Sequence, residues 1–271
     1  MRADSFFGKL TRTLTGDPGP TAPQSGGTRP KDLRRARLND AVLAGESLVG
    51  ALLTDAGMAR ANLSGADLTG ADLSRARLPG ANLARTTLVG ARLVGADLKG
   101  AVLADAELTG AKLTGALLTN ANLSDAELTD ADLTEANLAG ANLTSALLGR
   151  ADLSGADLSD AYLTDGHLPN AKLRGVDLAG VNLTEAALVD ADLTGASLTE
   201  ANLGGADLTR ADLSGADLTG AAVFEVRWTA GTRWPDREVE ERLRALSQEV
   251  EPGVWTVVGD TGRSRGLRLG D

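Results

Sequence analysis

From Lys31 to Val223 every fifth residue is a large aliphatic, and the phase never slips across 193 residues. Counting from Leu33 gives 39 such positions, of which 37 are Leu and the others Met58 and Val223. Two residues earlier, 33 of 39 positions are Ala, with Lys31, Glu46, Thr86, Gly166, Val176 and Val181 as the exceptions. A repeat this strict constrains architecture before any local propensity does. On an α-helix, steps of five turn each Leu by about 140° and smear the set around the cylinder. On one long strand they fall alternately on opposite faces. A spacing of two and then three resolves the conflict. Ala and Leu, two apart on a short extended piece, point the same way, and the next two residues turn a corner. The second corner residue is Gly, Asp or Asn at 28 of 38 positions from Arg35 to Gly220, the types that tolerate φ > 0.

The number of sides per coil is read from the outward position just before each Leu. Asn occupies it at Asn62, Asn82, Asn122, Asn137, Asn142, Asn182 and Asn202, and all but Asn137 are spaced by multiples of 20. A 20-residue coil of four sides stacks those six on one face, interrupted at Val102 and Tyr162; duplication of a 20-residue unit would leave the same trace. Four sides give about 9.75 coils and a rod about 45 Å long at about 4.8 Å per strand.

The recurring Ala-Asp/Asn-Leu-x-x unit, as in Ala66-Asp67-Leu68-Thr69-Gly70 and Ala211-Asp212-Leu213-Ser214-Gly215, resembles the pentapeptide-repeat family. The resemblance implies an all-β fold, a right-handed quadrilateral parallel β-helix of about 9–10 coils, and says little about activity.

Residues 1–30 stand outside the repeat. Phe6, Phe7, Leu10 and Leu14 have a loosely helical spacing, and Gly16 to Pro30 contains four of the eight prolines, a linker composition. The segment is read as a tethered lid over the first coil or an anchor for a partner or membrane. Residues 224–271 change composition at once. Trp234-Pro235-Asp236 reads as a helix start with Asp236 as N-cap, and Val239, Leu243, Leu246 and Val250 give an amphipathic face. The expectation is a capping helix over about 236–249, stopped by Glu251-Pro252-Gly253, a short strand over about 254–258, and a tail carrying Arg263, Arg265 and Arg268. Phe224, Trp228, Trp234, Val239, Leu243 and Leu246 form the cap over the last Leu ladder or, as resemblance to the family implies, a homodimer interface at that end.

Charge divides the rod. Residues 31–120 hold nine acids and eleven bases, whereas 121–223 hold seventeen acids and four bases, a net −13. On four sides, Asp132, Asp152, Asp192 and Asp212 line one face, broken by Lys172, and Asp157, Asp177 and Asp217 line the next. Such columns are either a solvated surface or a sustained negative potential for a partner. A net charge of −10 with 3% aromatics lacks the cationic groove and stacking platforms of direct nucleic-acid binding.

Chemistry-bearing patterns are scarce. His167 is the single His and there is no Cys, so a transition-metal or nucleophilic site is not expected, and no cofactor motif occurs. Asn62, Asn122, Asn142 and Asn182 match a glycosylation pattern only because Asn-Leu-Ser/Thr falls out of the repeat. No run of about 18 apolar residues occurs, and the first residues lack a secretory pattern, so a cytoplasmic, non-membrane protein is expected. The reading is a non-catalytic protein-interaction rod of unknown partner. The alternative, implied by resemblance to some family members, is a DNA mimic that binds and protects or inhibits DNA gyrase or a related topoisomerase, as in fluoroquinolone resistance or toxin immunity. Against it, no central position is Phe, no loop interrupts the coils, and the first half is not acidic.

Overall fold

The computed structural model describes residues 30–258 and Leu269. Isolated parallel bridges join each outward residue to the one 20 positions later, from Asp32↔Leu52 through Asn202↔Ala222 without a break. The chain is a β-helical solenoid that returns to register every 20 residues, with four bridged segments per coil.

The unit Ala61–Gly65 shows how the backbone closes. The Asn62 N–H donates back to the Ala41 carbonyl at 2.8 Å, and the Leu63 and Gly65 N–H groups donate forward to Asn82 at 2.7 Å and Ala84 at 2.9 Å. The Ala66 N–H donates across the corner to the Leu63 carbonyl at 2.9 Å, a tight turn whose third residue, Gly65, has φ +64°. That left-handed position recurs at every corner, and it is occupied without glycine at Asp105 (φ 56°) and Arg150 (φ 58°). Asp and Gly suit it; Arg accepts it because the repeat's hydrogen bonds over-determine the backbone.

All 37 Leu side chains are buried and, with the Ala ladders, belong to one core. Alternating small and large rungs fill a narrow interior. Where the small rung grows, the turn opens: Val176 and Val181 lengthen their N–H···O bonds to Leu173 and Leu178 to 3.4 and 3.2 Å. Thr86, the buried polar rung, donates its hydroxyl to the Leu83 carbonyl at 2.7 Å.

After Val223 the chain builds a small α+β unit on the last coil. Its elements are β1 (Arg227–Thr229), α1 (Arg237–Ala245), β2 (Ser247–Glu251) and β3 (Val254–Val257), with an antiparallel sheet in the order β1-β3-β2. Bridges Asp207↔Arg227 and Asp212↔Arg233 tie this unit to the rod. Asp236 caps α1 by accepting from the Val239 N–H at 2.9 Å, as the sequence predicts. The helix is shorter than the expected 236–249. It ends at Ala245, because Ser247 donates its hydroxyl to the Leu243 carbonyl at 2.7 Å and residues from Ser247 pair with β3. Val250, expected on the helix's apolar face, therefore lies on a strand and is 51% exposed. Leu269 is also held against the last coil, its N–H donating to the Ala221 carbonyl at 3.0 Å. The lid or anchor over residues 1–29 and the arginines of the tail lie outside the described residues. Among the described residues, no helix is long and apolar enough to cross a membrane.

Candidate functional site

The backbone accounting leaves one donor per unit, the N–H of the residue after each Leu. In Ala61–Gly65 it is Ser64, which donates to Asn62 Oδ1 at 3.1 Å. Every Asp or Asn at the outward position, from Asp32 to Asp217, accepts this same bond at 2.9–3.4 Å. These are Asx turns. The following Thr or Ser often adds its hydroxyl to the same oxygen, as Thr144 does to Asn142 at 2.7 Å and Ser159 to Asp157 at 2.6 Å.

The two acidic columns lie in the register expected for a 20-residue coil: Asp132↔Asp152↔Lys172↔Asp192↔Asp212 on one face and Asp157↔Asp177↔Ser197↔Asp217 on the next. Their carboxylates do not stand free. All seven accept from their own turn N–H. Asp152 also accepts from Lys172 Nζ at 3.0 Å, Asp192 from Arg174 at 3.2 Å and Asp212 from Arg233 at 3.2 Å. Burial pushes the Asp132 and Asp192 carboxyls up, but the hydrogen bonds from Thr134 and Thr194 and the nearby cations outweigh it, leaving both below the usual carboxylate range. Asp212 and Asp217 are lowered chiefly by the hydroxyls of Ser214 and Thr219. The Asp152 side chain is 30% exposed.

Corner charges also pair. Arg150 makes two bonds to Asp130 at 2.7 and 2.6 Å, and Arg210 makes two to Asp190 at 2.7 and 2.6 Å. Asp40–Arg60 and Asp55–Arg75 repeat the arrangement in the first coils. Each Arg follows its Asp by 20 residues, one coil on.

One face departs from this economy. The ladder Thr87↔Glu107↔Glu127↔Leu147↔His167↔Ala187 contains no Asx, so no side chain folds back on the turn. Glu107, Glu127 and His167 are exposed, and Leu147 is 39% exposed. The residues beside it after each Leu include Gly149, Pro169 and Val189; a Cβ at Gly149 would lie 3.6 Å from the Pro169 ring. Along one border runs the corner Asp105, Asp125, Ser145, Asp165 and Glu185. Its four acids, with Glu107 and Glu127, form no ion pair among the described residues. The other border carries the paired Asp130–Arg150 and Asp190–Arg210. The column of Asp and Asn residues draws attention in the sequence, yet the side chains free to meet a partner are those where Asx is missing. The absence of the Asx-Leu-Ser/Thr triplet is the signal for them.

The C-terminal aromatic set closes on itself. Trp228 is fully buried, its Nε1 donating to Ser247 Oγ at 2.9 Å. It meets Trp234 edge-on at 5.9 Å and Trp255 at 4.9 Å. The Arg244 guanidinium lies 5.3 and 5.1 Å from the Trp228 and Trp255 rings, a cation–π contact. Leu243 is buried with them, Val239 and Leu246 pack partly buried against the same core, and Phe224 is half-buried. Trp228, Trp234 and Leu243 are thus engaged within the chain, leaving a second copy little apolar surface from them. A groove of about 280 Å³ runs between the last coil and α1, bordered by Asp217, Val239, Arg242 and Leu269. Among the described residues, no group of His, Asp and Glu side chains has the arrangement of a metal site.

The pentapeptide-repeats profile matches the chain in overlapping stretches spanning residues 32–221, with 8 copies. The chain belongs to the pentapeptide-repeat family. Among solved structures it is similar to HetL, a pentapeptide repeat protein involved in heterocyst differentiation regulation from the cyanobacterium Nostoc sp. strain PCC 7120. The identity is 36% and the TM-score 0.53, over 78% of this chain and 92% of that one. It is similar at 31% identity to a pentapeptide repeat protein of the Arabidopsis thaliana thylakoid lumen, over 38% of this chain and 65% of that one with TM-score 0.27. It also matches QnrB1, a plasmid-mediated fluoroquinolone resistance protein, at 20% identity and TM-score 0.32 over 65% and 82% of the two chains. A search among curated proteins finds none with significant similarity.

Proposed function

We propose that this pentapeptide-repeat protein is a non-catalytic, intracellular binding rod: a right-handed, four-sided solenoid, closed at its C-terminal end by the Trp228 unit, that engages a protein partner through the Leu147 face. The observation that carries this reading is the division of labour between faces. Where Asx turns hold the outward side chain against the backbone, little of it remains for recognition. Where Glu107, Glu127, Leu147 and His167 replace Asx, polar and apolar groups stand outward at regular spacing on a rigid support, a surface of the kind that repeat folds use for partners. The acids beside that face have no counter-ions among the described residues, so a segment or partner with apolar side chains and adjacent cations is complementary to it.

The test is capture of a stoichiometric partner from the native host by the purified full-length chain, by Leu147→Asp and by Asp152→Asn. The parent and Asp152→Asn are expected to retain the partner and Leu147→Asp to lose it. Retention by Leu147→Asp with loss in Asp152→Asn would move the binding surface to the acidic columns, and with it the function toward mimicry of a nucleic-acid backbone.

A further inference from the structure

We propose that the Leu147 face is the docking surface of the chain's own N-terminal segment, residues 2–14. This rests on the reading of that face as a binding surface and names its resident occupant. Three independent observations converge on it.

The first is where the chain enters the rod. Pro30 occupies the corner register that borders the Leu147 face, since Gly50, Gly90, Gly110, Asp130, Arg150 and Asp190 follow it at multiples of 20. Lys31, next in sequence, donates its Nζ to the Ser47 carbonyl at 2.6 Å. Ser47 lies on the ladder that continues through Asp67 and Thr87 to Leu147. The incoming chain is therefore fastened at the first-coil end of that face.

The second is reach. The residues between Leu14 and Pro30 span up to about 50 Å when extended. The rise from Ser47 to His167 is six coils, about 29 Å at the spacing of bridged strands. The tether reaches Leu147 and His167 with slack.

The third is chemistry. Residues 2–14 carry Phe6, Phe7, Leu10 and Leu14 with Arg2, Lys9 and Arg12 against a single acid, Asp4. The face presents apolar Leu147, Pro169 and Val189 beside Asp125, Asp165 and Glu185, which lack counter-ions among the described residues. Apolar groups meet apolar groups while the cations face the acidic border. The Asp132 and Asp157 faces offer no such match: their carboxylates are engaged by their own turns, and Asp130 and Asp190, on the corner shared with the Asp132 face, are paired with arginine.

The native chain has no Cys, so disulfide trapping in the full-length protein tests this directly. One variant combines Gly8→Cys with His167→Cys. The control combines Gly8→Cys with Lys172→Cys, which stands on the Asp132 face directly across the corner at Asn170, in the register of Pro30, so a free tether samples both alike. After normalising for the reactivity of each thiol, intramolecular disulfide is expected to form about tenfold faster at position 167, reflecting the local concentration that docking creates. Adding Lys9→Glu and Arg12→Glu, or 1 M salt, is expected to reduce that ratio toward one. Equal rates for the two faces overturn the proposal, as do disulfides that form only between chains, which would make a second copy the occupant. Equal rates while Leu147→Asp still loses the external partner would remove the docked segment and leave the binding rod standing.

Discussion

The Asp132 face and the Leu147 face are built from the same backbone, in the same register, over the same core, yet they present opposite chemistry. On the first, Asp132, Asp152, Asp192 and Asp212 bend onto their own turns, and Lys172, Arg174 and Arg233 meet what remains. On the second, Glu107, Glu127, Leu147 and His167 extend outward without such bonds. Formal charge is therefore a poor guide to available charge in a solenoid. An outward Asp in this repeat is first an acceptor for a backbone donor that nothing else satisfies, and only then a carboxylate.

The contrast assumes that both faces hang on one core, and the largest predicted effect tests that assumption. Leu133 is fully buried at the middle of the rod. Leu133→Asp is expected to lower stability by about 4 kcal/mol or more, because it buries an unpaired charge. Chemical denaturation should show it, with loss of partner capture as well. A variant that melted like the parent would put Leu133 outside the core and dissolve the register on which both faces are defined.

A smaller effect is expected beneath the Leu147 face itself. Gly166 replaces the inward Ala just before His167, and a Cβ there would lie 2.9 Å from the Leu163 carbonyl oxygen. Gly166→Ala, although it restores the repeat's consensus, is expected to cost about 1–3 kcal/mol through backbone displacement. The midpoint of urea unfolding reads it out, and a neutral or stabilising result would show that the turn relaxes freely at this position.

Much of this architecture is legible in the chain. The five-residue period names the inward residues, and the 20-residue recurrence of Asn62, Asn82, Asn122, Asn142, Asn182 and Asn202 places them on one ladder. What escaped was the use of each outward group. Counting Asp residues marks the Asp132 and Asp157 columns, whereas accounting for the N–H after each Leu would have shown that they are already engaged. The helix end at Ala245 escaped for another reason. Leu246 and Val250 continue a helical apolar spacing, but pairing of Ser247–Glu251 with β3 overrides it, a tertiary contact with no local signature. Trp255 joins Trp228 only through that sheet.

The contrast between the faces sharpens at single residues. Asp152→Ala removes the acceptor for the Ser154 N–H and is expected to cost about 1 kcal/mol, while Asp152→Asn retains Oδ1 and costs little. Glu127→Ala, which removes no hydrogen bond among the described residues, should leave stability within about 0.5 kcal/mol of the parent and weaken partner binding instead. Equal losses at Asp152→Ala and Glu127→Ala would erase the distinction between engaged and free carboxylates. If the engaged columns do not act as a nucleic-acid mimic, the folded protein at micromolar concentration should leave supercoiling by purified gyrase unchanged, with or without a fluoroquinolone. Inhibition or protection that Asn substitution at Asp152, Asp157, Asp177, Asp192, Asp212 and Asp217 abolished would restore the acidic columns as the functional surface.

The finest effect is the response to acid. In the folded rod the carboxyls of Asp132, Asp152 and Asp192 lie below their ordinary range: burial pushes them up, but bonds from their own turns and neighbouring cations prevail. Asp212 and Asp217 are lowered chiefly by the hydroxyls of Ser214 and Thr219. A depressed carboxyl binds its proton less readily folded than unfolded, so each contributes stability above the ordinary carboxylate pKa, about 3.9. That contribution declines as pH falls through this value and is gone below the folded pKa. The melting temperature of the parent is therefore expected to drop between about pH 5 and pH 3. In a chain with all five replaced by Asn, the turn acceptor survives in a group that does not titrate. Such a variant should melt somewhat below the parent at pH 7, show a shallower fall in acid, and approach the parent's melting temperature at low pH. An unchanged slope would mean that these carboxylates gain nothing from their turns in the folded state, and the Asp132 face would then be as free as the Leu147 face.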